Sequence, residues 1–216
     1  VAGEVQFPGN SKNALLIHGR YGTGKTTVAH LLAALLEYTN AGTSDQIGYD
    51  WCYTFKGENV SITPGNSAKN PVTPIIFDFI NCGKHHSNSS TGVVKRIDST
   101  NKLRFGGGFV GGTFHHCVLD ELDCWNTAAQ QNLKGLITES PPHTIFYITT
   151  NHRLTIDPGV RDRSVEIEMN GAASHQLNLW KSRNKELGAY NDSDLLNVIE
   201  AAGGSWRQLD EALMRL

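Results

Sequence analysis

Eight consecutive residues near the start of the chain constrain its fold more than any other segment. They are, in order, Gly19, Arg20, Tyr21, Gly22, Thr23, Gly24, Lys25 and Thr26. They fit the pattern G-x-x-x-x-G-K-[ST], in which glycines let main-chain N–H groups surround phosphate oxygens. The apolar run 14–18 before them predicts a buried strand, and residues 27–36 after them predict a helix. This order predicts a phosphate-binding loop at the positive end of a helix dipole.

The side chains that close this loop indicate what it holds. The Lys25 ammonium would reach the β- and γ-phosphates of a nucleoside triphosphate, and the Thr26 hydroxyl would ligate Mg²⁺. Thr27 continues the loop into the helix. We therefore expect the segment from Gly19 to Thr27 to bind a nucleotide together with its metal ion.

The chain beyond the loop alternates apolar strands with helices. A hydrophobic content of 39% and a charged content of 19% are typical of a packed globular core. Strands are predicted at 74–81, 116–123 and 144–151, a helix at 128–139, and a short strand pair near 51–55 and 60–63. The alternation predicts an α/β fold, a P-loop NTPase parallel sheet with helices on both faces.

From about residue 172 the pattern changes to helices alone. They are predicted at roughly 173–187, 192–202 and 205–216, with breaks at Gly188 and at Gly203 and Gly204. We therefore predict two domains, a nucleotide-binding core over 1–171 and a small all-α lid over 172–216.

Polar residues follow the predicted strands, at the edge where ligands bind in parallel sheets. Asp120 would hold Mg²⁺, directly or through water. Glu121 beside it could polarise an attacking water as a general base. Asn151 could orient that water or touch the γ-phosphate. Asn81 ends another strand at the same edge.

Three arginines are suited to a phosphoryl transition state, because the guanidinium fork matches phosphate oxygens. Arg161 and Arg163 come after the strand that ends at Asn151. Arg207 begins the last predicted helix, from which it could reach back over the nucleotide.

Together these motifs resemble those of the AAA+ ATPases, most closely their clamp-loader branch, over nearly the whole chain. The resemblance implies ATP and Mg²⁺ as cofactors and a Walker B box in which Asp120 holds the metal and Glu121 is the base. It implies that Asn81 restrains Glu121 until DNA binds, that Asn151 is sensor 1 and that Arg207 is sensor 2. It also implies an arginine finger, Arg163 or Arg161, that acts on ATP bound by the neighbouring subunit.

The function that this resemblance implies is an oligomeric ATPase, homo- or hetero-oligomeric, that drives DNA replication or remodelling. Its expected partners are primer-template or single-stranded DNA and a sliding clamp or helicase. The basic residues that would contribute to a DNA track are Lys95, Arg96, Lys102, Arg104 and Lys134. Two alternatives remain open: a viral superfamily 3 replicative helicase, and a regulatory nucleotide switch or helicase loader.

Composition narrows these alternatives only slightly. The net charge of −2 argues against a uniformly basic nucleic-acid binder but allows a local basic stripe. No long apolar run and no signal peptide are visible, so we expect a cytoplasmic protein of a bacterium or of a phage-infected cell. Cysteines and histidines near Cys82 and Cys117 lack the paired spacing of a zinc site, so we expect reduced thiols.

Overall fold

The computed structural model describes residues 12–40, 51–56, 59–64, 75–84, 92, 95, 97, 114–140, 144–170 and 173–214. The strands within these residues are β1 Ala14–His18, β2 Trp51–Lys56, β3 Asn59–Pro64, β4 Ile75–Asn81, β5 His115–Asp120, β6 Thr144–Thr150 and β7 Ser164–Glu168. The α-helices are α1 Lys25–Asn40, α2 Thr127–Glu139, α3 Pro158–Asp162, α4 Ala173–Arg183, α5 Asp192–Ala201 and α6 Trp206–Leu213.

The strands form a single sheet in the order β2-β3-β4-β5-β6-β1-β7. Five neighbouring strands are parallel, namely β4, β5, β6, β1 and β7. The hairpin of β2 and β3 extends the sheet in the antiparallel sense. The carboxyl ends of the parallel strands therefore share one edge, as the sequence requires for a ligand site.

Alternate residues of β1 enter two different cores, which explains why helices cover both faces of the sheet. Leu16 belongs to a cluster with Leu133 of α2 and Val160 of α3. Leu15 belongs to a second cluster that includes Ala29 of α1. Successive strand side chains point to opposite faces, so a strand that is apolar throughout must be covered twice. The predicted α/β fold is confirmed.

The three C-terminal helices pack around a core of their own. Trp180 of α4 is fully buried there, together with Leu195 of α5 and Leu209 of α6. A separate apolar cluster is what an appended helical lid needs in order to hold its shape. The division into a core over 1–171 and a lid over 172–216 remains our proposal, and its boundary lies outside the described residues.

Several predicted boundaries were wrong or incomplete. The strand predicted to reach residue 123 ends at Asp120, because Glu121 adopts a left-handed backbone conformation. The helix predicted to reach residue 187 ends at Arg183, because Asn184 is extended and a 3-10 turn follows. Strand β7 and helix α3 were missed, although Val165 and Ile167 alternate with acids as in a half-buried strand. No helix of the described residues is long and apolar enough to cross a membrane.

Candidate nucleotide-binding site

The loop between β1 and α1 takes backbone conformations that require glycine. Gly22 has φ 75° and Gly24 has φ 89°, both in the left-handed region where a Cβ is strained. At Gly22 a Cβ would also lie 2.2 Å from the Ser205 hydroxyl oxygen of the lid. Gly22 is therefore required for two reasons, its left-handed backbone and its close contact with Ser205 of the lid.

Lys25, the first residue of α1, is held across this loop. Its Nζ donates to the carbonyl oxygens of Gly19 at 3.1 Å and of Arg20 at 2.6 Å. Burial lowers the pKa of the ammonium, while the carboxylates of Asp120, Asp123 and Glu121 oppose that shift. Lys25 is thus a buried lysine held beside three carboxylates at the start of α1.

Asp120 ends β5, a strand that lies between β4 and β6 and whose residues are all buried. One of its carboxylate oxygens accepts hydrogen bonds of 2.7 Å from both the Thr26 and the Thr149 hydroxyls. Carboxylate and hydroxyl oxygens are the hard ligands that Mg²⁺ prefers. The donor set of Thr26 and Asp120 thus fits the magnesium ion that the sequence implies.

Glu121 is the non-glycine residue with positive φ in the described part of the chain, at φ 60° and ψ 51°. Its main-chain N–H donates to the Thr149 hydroxyl at 3.0 Å. A Cβ placed on Gly83 would lie 3.1 Å from Glu121 Oε2 and 3.2 Å from Asn81 Oδ1. The fold therefore brings the side chains of Asn81 and Glu121 to the same glycine, and a larger residue there would crowd both.

The end of β6 is joined to the acidic segment after β5 at a second point. The Thr150 hydroxyl donates to Asp123 Oδ1 at 2.8 Å, and the Asn151 main-chain N–H donates to the same oxygen at 3.3 Å. The sequence patterns did not indicate Thr149 or Asp123 as site residues. The available signal was two adjacent threonines at the end of an otherwise apolar strand.

Two cavities border the glycine loop. One, of about 250 Å³, lies at the carboxyl edge of the sheet. Its lining comprises Tyr21, Gly22, Gly24, Lys25, Thr26, Thr27, Asp120, Glu121, Thr149, Asn151, Trp206 and Arg207. The other, of about 330 Å³, lies between the loop and the lid and is lined by Arg20, Thr23, Met169, Asn170, Ala173, Gln176, Ile199, Glu200, Gly203 and Gly204. The residues that line these two cavities include most of the predicted site residues.

Arg161 and Arg163 are placed differently from these residues. Arg163 donates to the Thr138 hydroxyl at 2.8 Å and to the Gly159 carbonyl at 2.9 Å. It precedes Ser164, which pairs with Ala14 at the amino-terminal edge of the sheet. Since a strand rises about 3.3 Å per residue, β1 separates this edge from the glycine loop by about 16 Å.

Arg161 takes part in an ion-pair cluster around Glu166 of β7. Its Nε lies 3.4 Å from Glu166 Oε1, and Arg153 and His18 approach Oε2 of the same side chain. The hydrogen bond from Arg153 lowers the pKa of the Glu166 carboxyl. Arg161 is thus paired with the carboxylate of Glu166 in the same chain. Arg163 contacts only neutral groups among the partners described here.

Few of the proposed DNA-track residues fall within the described part of the chain. Lys95 is exposed, and the aliphatic stem of Lys134 lies against Gly159. Arg96, Lys102 and Arg104 lie outside the described residues. Among the residues that are described, no group of three His, Cys, Asp or Glu side chains could hold a metal ion, and the buried Cys82 and Cys117 thiols form no disulfide there.

No protein-family model and no curated protein matched the chain. Among solved structures, Caenorhabditis elegans PCH-2 is 14% identical with a TM-score of 0.51, over 93% of this chain and 54% of that one. A chain of the Escherichia coli MS115-1 HORMA:CdnC:Trip13 complex is 12% identical with a TM-score of 0.53, over 88% of this chain and 58% of that one.

A third structure, a DNA polymerase III gamma subunit-related protein from Thermotoga maritima, is 11% identical with a TM-score of 0.44, over 80% of this chain and 45% of that one. This agreement is weaker, so the clamp-loader branch stays a prediction. The protein spans little more than half the length of the first two chains. It has the α/β fold of these AAA+ neighbours, with five parallel strands in a sheet flanked by helices.

Proposed function

We propose that this protein binds ATP with Mg²⁺ and hydrolyses it, as an AAA+ ATPase. One observation carries the proposal: Lys25, Thr26, Asp120 and Glu121 line a single cavity at the carboxyl edge of the sheet. A cation, a hydroxyl and two acids around a glycine loop are the groups that phosphoryl transfer to water requires. A turn that merely connected β1 to α1 would need none of them.

The loop and α1 bind the triphosphate in this proposal. Main-chain N–H groups freed by Gly22 and Gly24 face phosphate oxygens, and the helix amino terminus adds positive charge. Lys25 neutralises the terminal phosphates. Its hydrogen bonds to the loop carbonyls already hold its ammonium group at the loop. Thr26 and Asp120 hold the magnesium ion, which when bound neutralises charge that develops on the phosphate oxygens.

Glu121 accepts a proton from the attacking water, and Asn151 orients that water. The strained backbone at Glu121 supports this role, since non-glycine residues in the left-handed region cluster at functional sites. Asn81 is proposed to restrain Glu121, which is supported by the approach of both side chains to Gly83. Arg207 is the second residue of α6 and lines the same cavity, and it is proposed to contact the phosphates from the lid.

The nucleoside is proposed to occupy the second cavity, between the loop and the lid. It borders the same loop as the cavity lined by Lys25, Thr26 and Asp120, which we call the phosphate cavity. Arg20 and Thr23 line the second cavity, and Tyr21 and Gly24 line the phosphate cavity. A volume of about 330 Å³ lies in the range of small-molecule sites, about 300–1,000 Å³. Closure of the lid on a base would then couple nucleotide binding to the position of α6.

The arginine finger is proposed to be Arg163, acting on the nucleotide of a neighbouring subunit. Its place at the amino-terminal edge supports this, because it cannot reach the glycine loop of its own chain across β1. Arg161 is less suited to the role, since its guanidinium is paired with Glu166. Catalysis would then require a homo- or hetero-oligomer in which each subunit completes the site of the next.

The biological role that we propose is DNA replication or remodelling in the manner of a clamp loader. Its support is the sequence resemblance and the placement of Asn81 beside Glu121, the pair expected to respond to DNA. The proposed partners are primer-template or single-stranded DNA and a sliding clamp or helicase. Magnesium-dependent ATPase activity, measured with each DNA and across a protein dilution series, tests this role.

The ATPase assignment itself is tested with Glu121→Gln, which keeps the side-chain shape but removes the base. We expect turnover to fall about 100-fold or more, as for loss of a general base, with ATP affinity unchanged. Glu186→Gln, an exposed acid in the turn after α4, is the matched control and should keep wild-type turnover. Wild-type turnover in Glu121→Gln would remove Glu121 as the base, and wild-type protein without ATP binding would overturn the proposal.

A further inference from the structure

The Thr149 hydroxyl joins the two acids that the proposed ATPase needs. We propose that Thr149 is a positioning residue that fixes both the Asp120 carboxylate and the backbone of Glu121. The inference rests on the proposed function and adds a residue outside the glycine loop, the acidic pair and Asn151.

Both hydrogen-bonding capacities of the hydroxyl are used within the site. It donates to Asp120 Oδ1 at 2.7 Å and accepts from the Glu121 main-chain N–H at 3.0 Å. Thr149 is 1% exposed, so water has little access to replace either bond. A hydroxyl carries one hydrogen, so its donation to Asp120 fixes the direction in which its lone pairs face Glu121.

The carboxylate oxygen that Thr149 contacts is the one that Thr26 also contacts. Asp120 Oδ1 therefore lies between a hydroxyl of α1 and a hydroxyl of β6. These two donors hold the carboxylate plane from opposite elements of the fold. If Thr26 were to ligate a metal ion, Thr149 would remain as the donor that keeps the Asp120 carboxylate oriented, which is the usual role of a group behind a metal ligand.

The second bond acts on a residue whose backbone is strained. A left-handed conformation is unfavourable for a non-glycine residue, and Glu121 adopts it at φ 60°. The hydrogen bond from its N–H to Thr149 helps to offset that cost. The turn at Glu121 sets where its side chain leaves the main chain, so Thr149 also determines where the proposed base is presented.

Register explains why a residue of β6 can do this. Leu119 of β5 pairs with Ile148 of β6, which places Thr149 beside Asp120 at the end of the ladder. Thr150 is one residue further and serves Asp123 instead. The two threonines thus bind different acids, and Thr149 alone of the pair contacts both Asp120 and Glu121 among the bonds described.

The test compares Thr149→Val, which keeps the shape and removes the hydroxyl, with Thr149→Ser, which keeps the hydroxyl. Thr144→Val is the control, because Thr144 is buried in the same strand at the opposite edge of the sheet. For each variant the affinity for the ATP analogue AMP-PNP is measured with Mg²⁺ and with EDTA, alongside ATP turnover and thermal unfolding. The first readout does not depend on hydrolysis.

Magnesium should raise the affinity of wild type for AMP-PNP, and in Thr149→Val either this increase or kcat should be smaller by about 10–100-fold. That factor is the usual cost of removing a group behind a metal ligand. The affinity of Thr149→Val for AMP-PNP in EDTA should be unchanged. Thr149→Ser should behave as wild type, and Thr144→Val should keep wild-type magnesium dependence and kcat. Wild-type magnesium dependence and kcat in Thr149→Val would overturn the inference while leaving the ATPase proposal intact. Equal losses in Thr149→Ser would also overturn it, and wild-type protein without AMP-PNP binding would remove both proposals.

Discussion

The main-chain N–H of Trp206 donates a hydrogen bond of 3.0 Å to the carbonyl oxygen of Gly22. Trp206 is the first residue of α6 in the lid, and Gly22 lies at the centre of the glycine loop. The main-chain donors at the start of a helix have no acceptor within the helix, and here one of them joins the lid to the proposed phosphate-binding loop. Arg207, the next residue, reaches the phosphate cavity from this fixed point.

This contact predicts that Gly22 cannot be replaced by alanine without loss of function. In Gly22→Ala the new methyl meets Ser205 Oγ at 2.2 Å, and the backbone keeps φ 75°. We expect a stability loss of about 1–3 kcal/mol from the strained conformation and a marked loss of ATP affinity, measured by urea unfolding and nucleotide titration.

Gly135→Ala is the matched control for that variant, because Gly135 lies in α2 with open space around its Cα. It should be neutral or more stable by about 0.5–1 kcal/mol, the usual gain of alanine in a helix. The double variant Gly22→Ala with Ser205→Gly should recover part of the loss, since it removes the clash but not the strain. Wild-type ATP affinity in Gly22→Ala would show that the loop does not contact the lid as described.

The position of Arg163 predicts complementation between two inactive proteins. Lys25→Ala lacks phosphate binding but keeps its finger, and Arg163→Ala lacks the finger but keeps its own site. Mixed oligomers should recover part of the turnover, because some interfaces then combine an intact site with an intact finger. Activity should also rise with protein concentration.

The same mixing with Arg161→Ala distinguishes the two candidate fingers. Arg161 pairs with Glu166, and its loss should cost about 0–1 kcal/mol of stability with turnover kept. Two results together would support Arg163 as the finger. ATP turnover should recover when Lys25→Ala and Arg163→Ala are mixed, and Arg161→Ala alone should turn over ATP as wild type. An Arg163→Ala protein that hydrolyses ATP at the wild-type rate would contradict it.

Gln130 is predicted to hold the segment that leads to Arg163. The amide is 2% exposed, donates to the Trp125 carbonyl at 2.9 Å and accepts from the Asp157 N–H at 2.7 Å. Gln130→Leu removes both hydrogen bonds, which should cost about 1–3 kcal/mol. Gln131→Leu, at the exposed neighbouring position of α2, should cost little. Equal stability of the two variants in urea unfolding would refute this role.

His30 predicts how stability depends on pH. Burial lowers the pKa of its imidazole from 6.5 to about 4, although Asp120 opposes the shift. The unfolded chain therefore binds a proton between these values while the folded one does not. The contribution of His30 to the free energy of unfolding is therefore fully present above pH 6.5 and is lost as pH falls toward 4. The loss from this group is up to about 3 kcal/mol.

Urea unfolding of wild type and of His30→Leu across that pH range measures this contribution. The variant should lose stability less steeply between pH 6.5 and 4, because it lacks the group that titrates. His175→Leu, at an exposed position of α4, serves as the control for loss of a histidine. Identical slopes in wild type and His30→Leu would show that other groups account for the acid sensitivity.

The sequence by itself determined the glycine loop, the α/β class and the strand ends that carry Asp120 and Asn151. These follow from local patterns, because a glycine pattern and apolar runs specify conformation within a few residues. It did not reveal β7, whose alternation of apolar residues with acids is short and lies beside the predicted finger segment.

Tertiary structure alone decided which side chains meet across the sheet. The Thr149 bonds to Asp120 and Glu121, the Trp206 bond to Gly22 and the place of Arg163 at the opposite edge all join residues distant in the chain. Such contacts depend on strand order and register, which fix neighbours that no local pattern encodes. The sequence therefore indicated the chemistry of the site, and the packing of the sheet and lid decided its geometry.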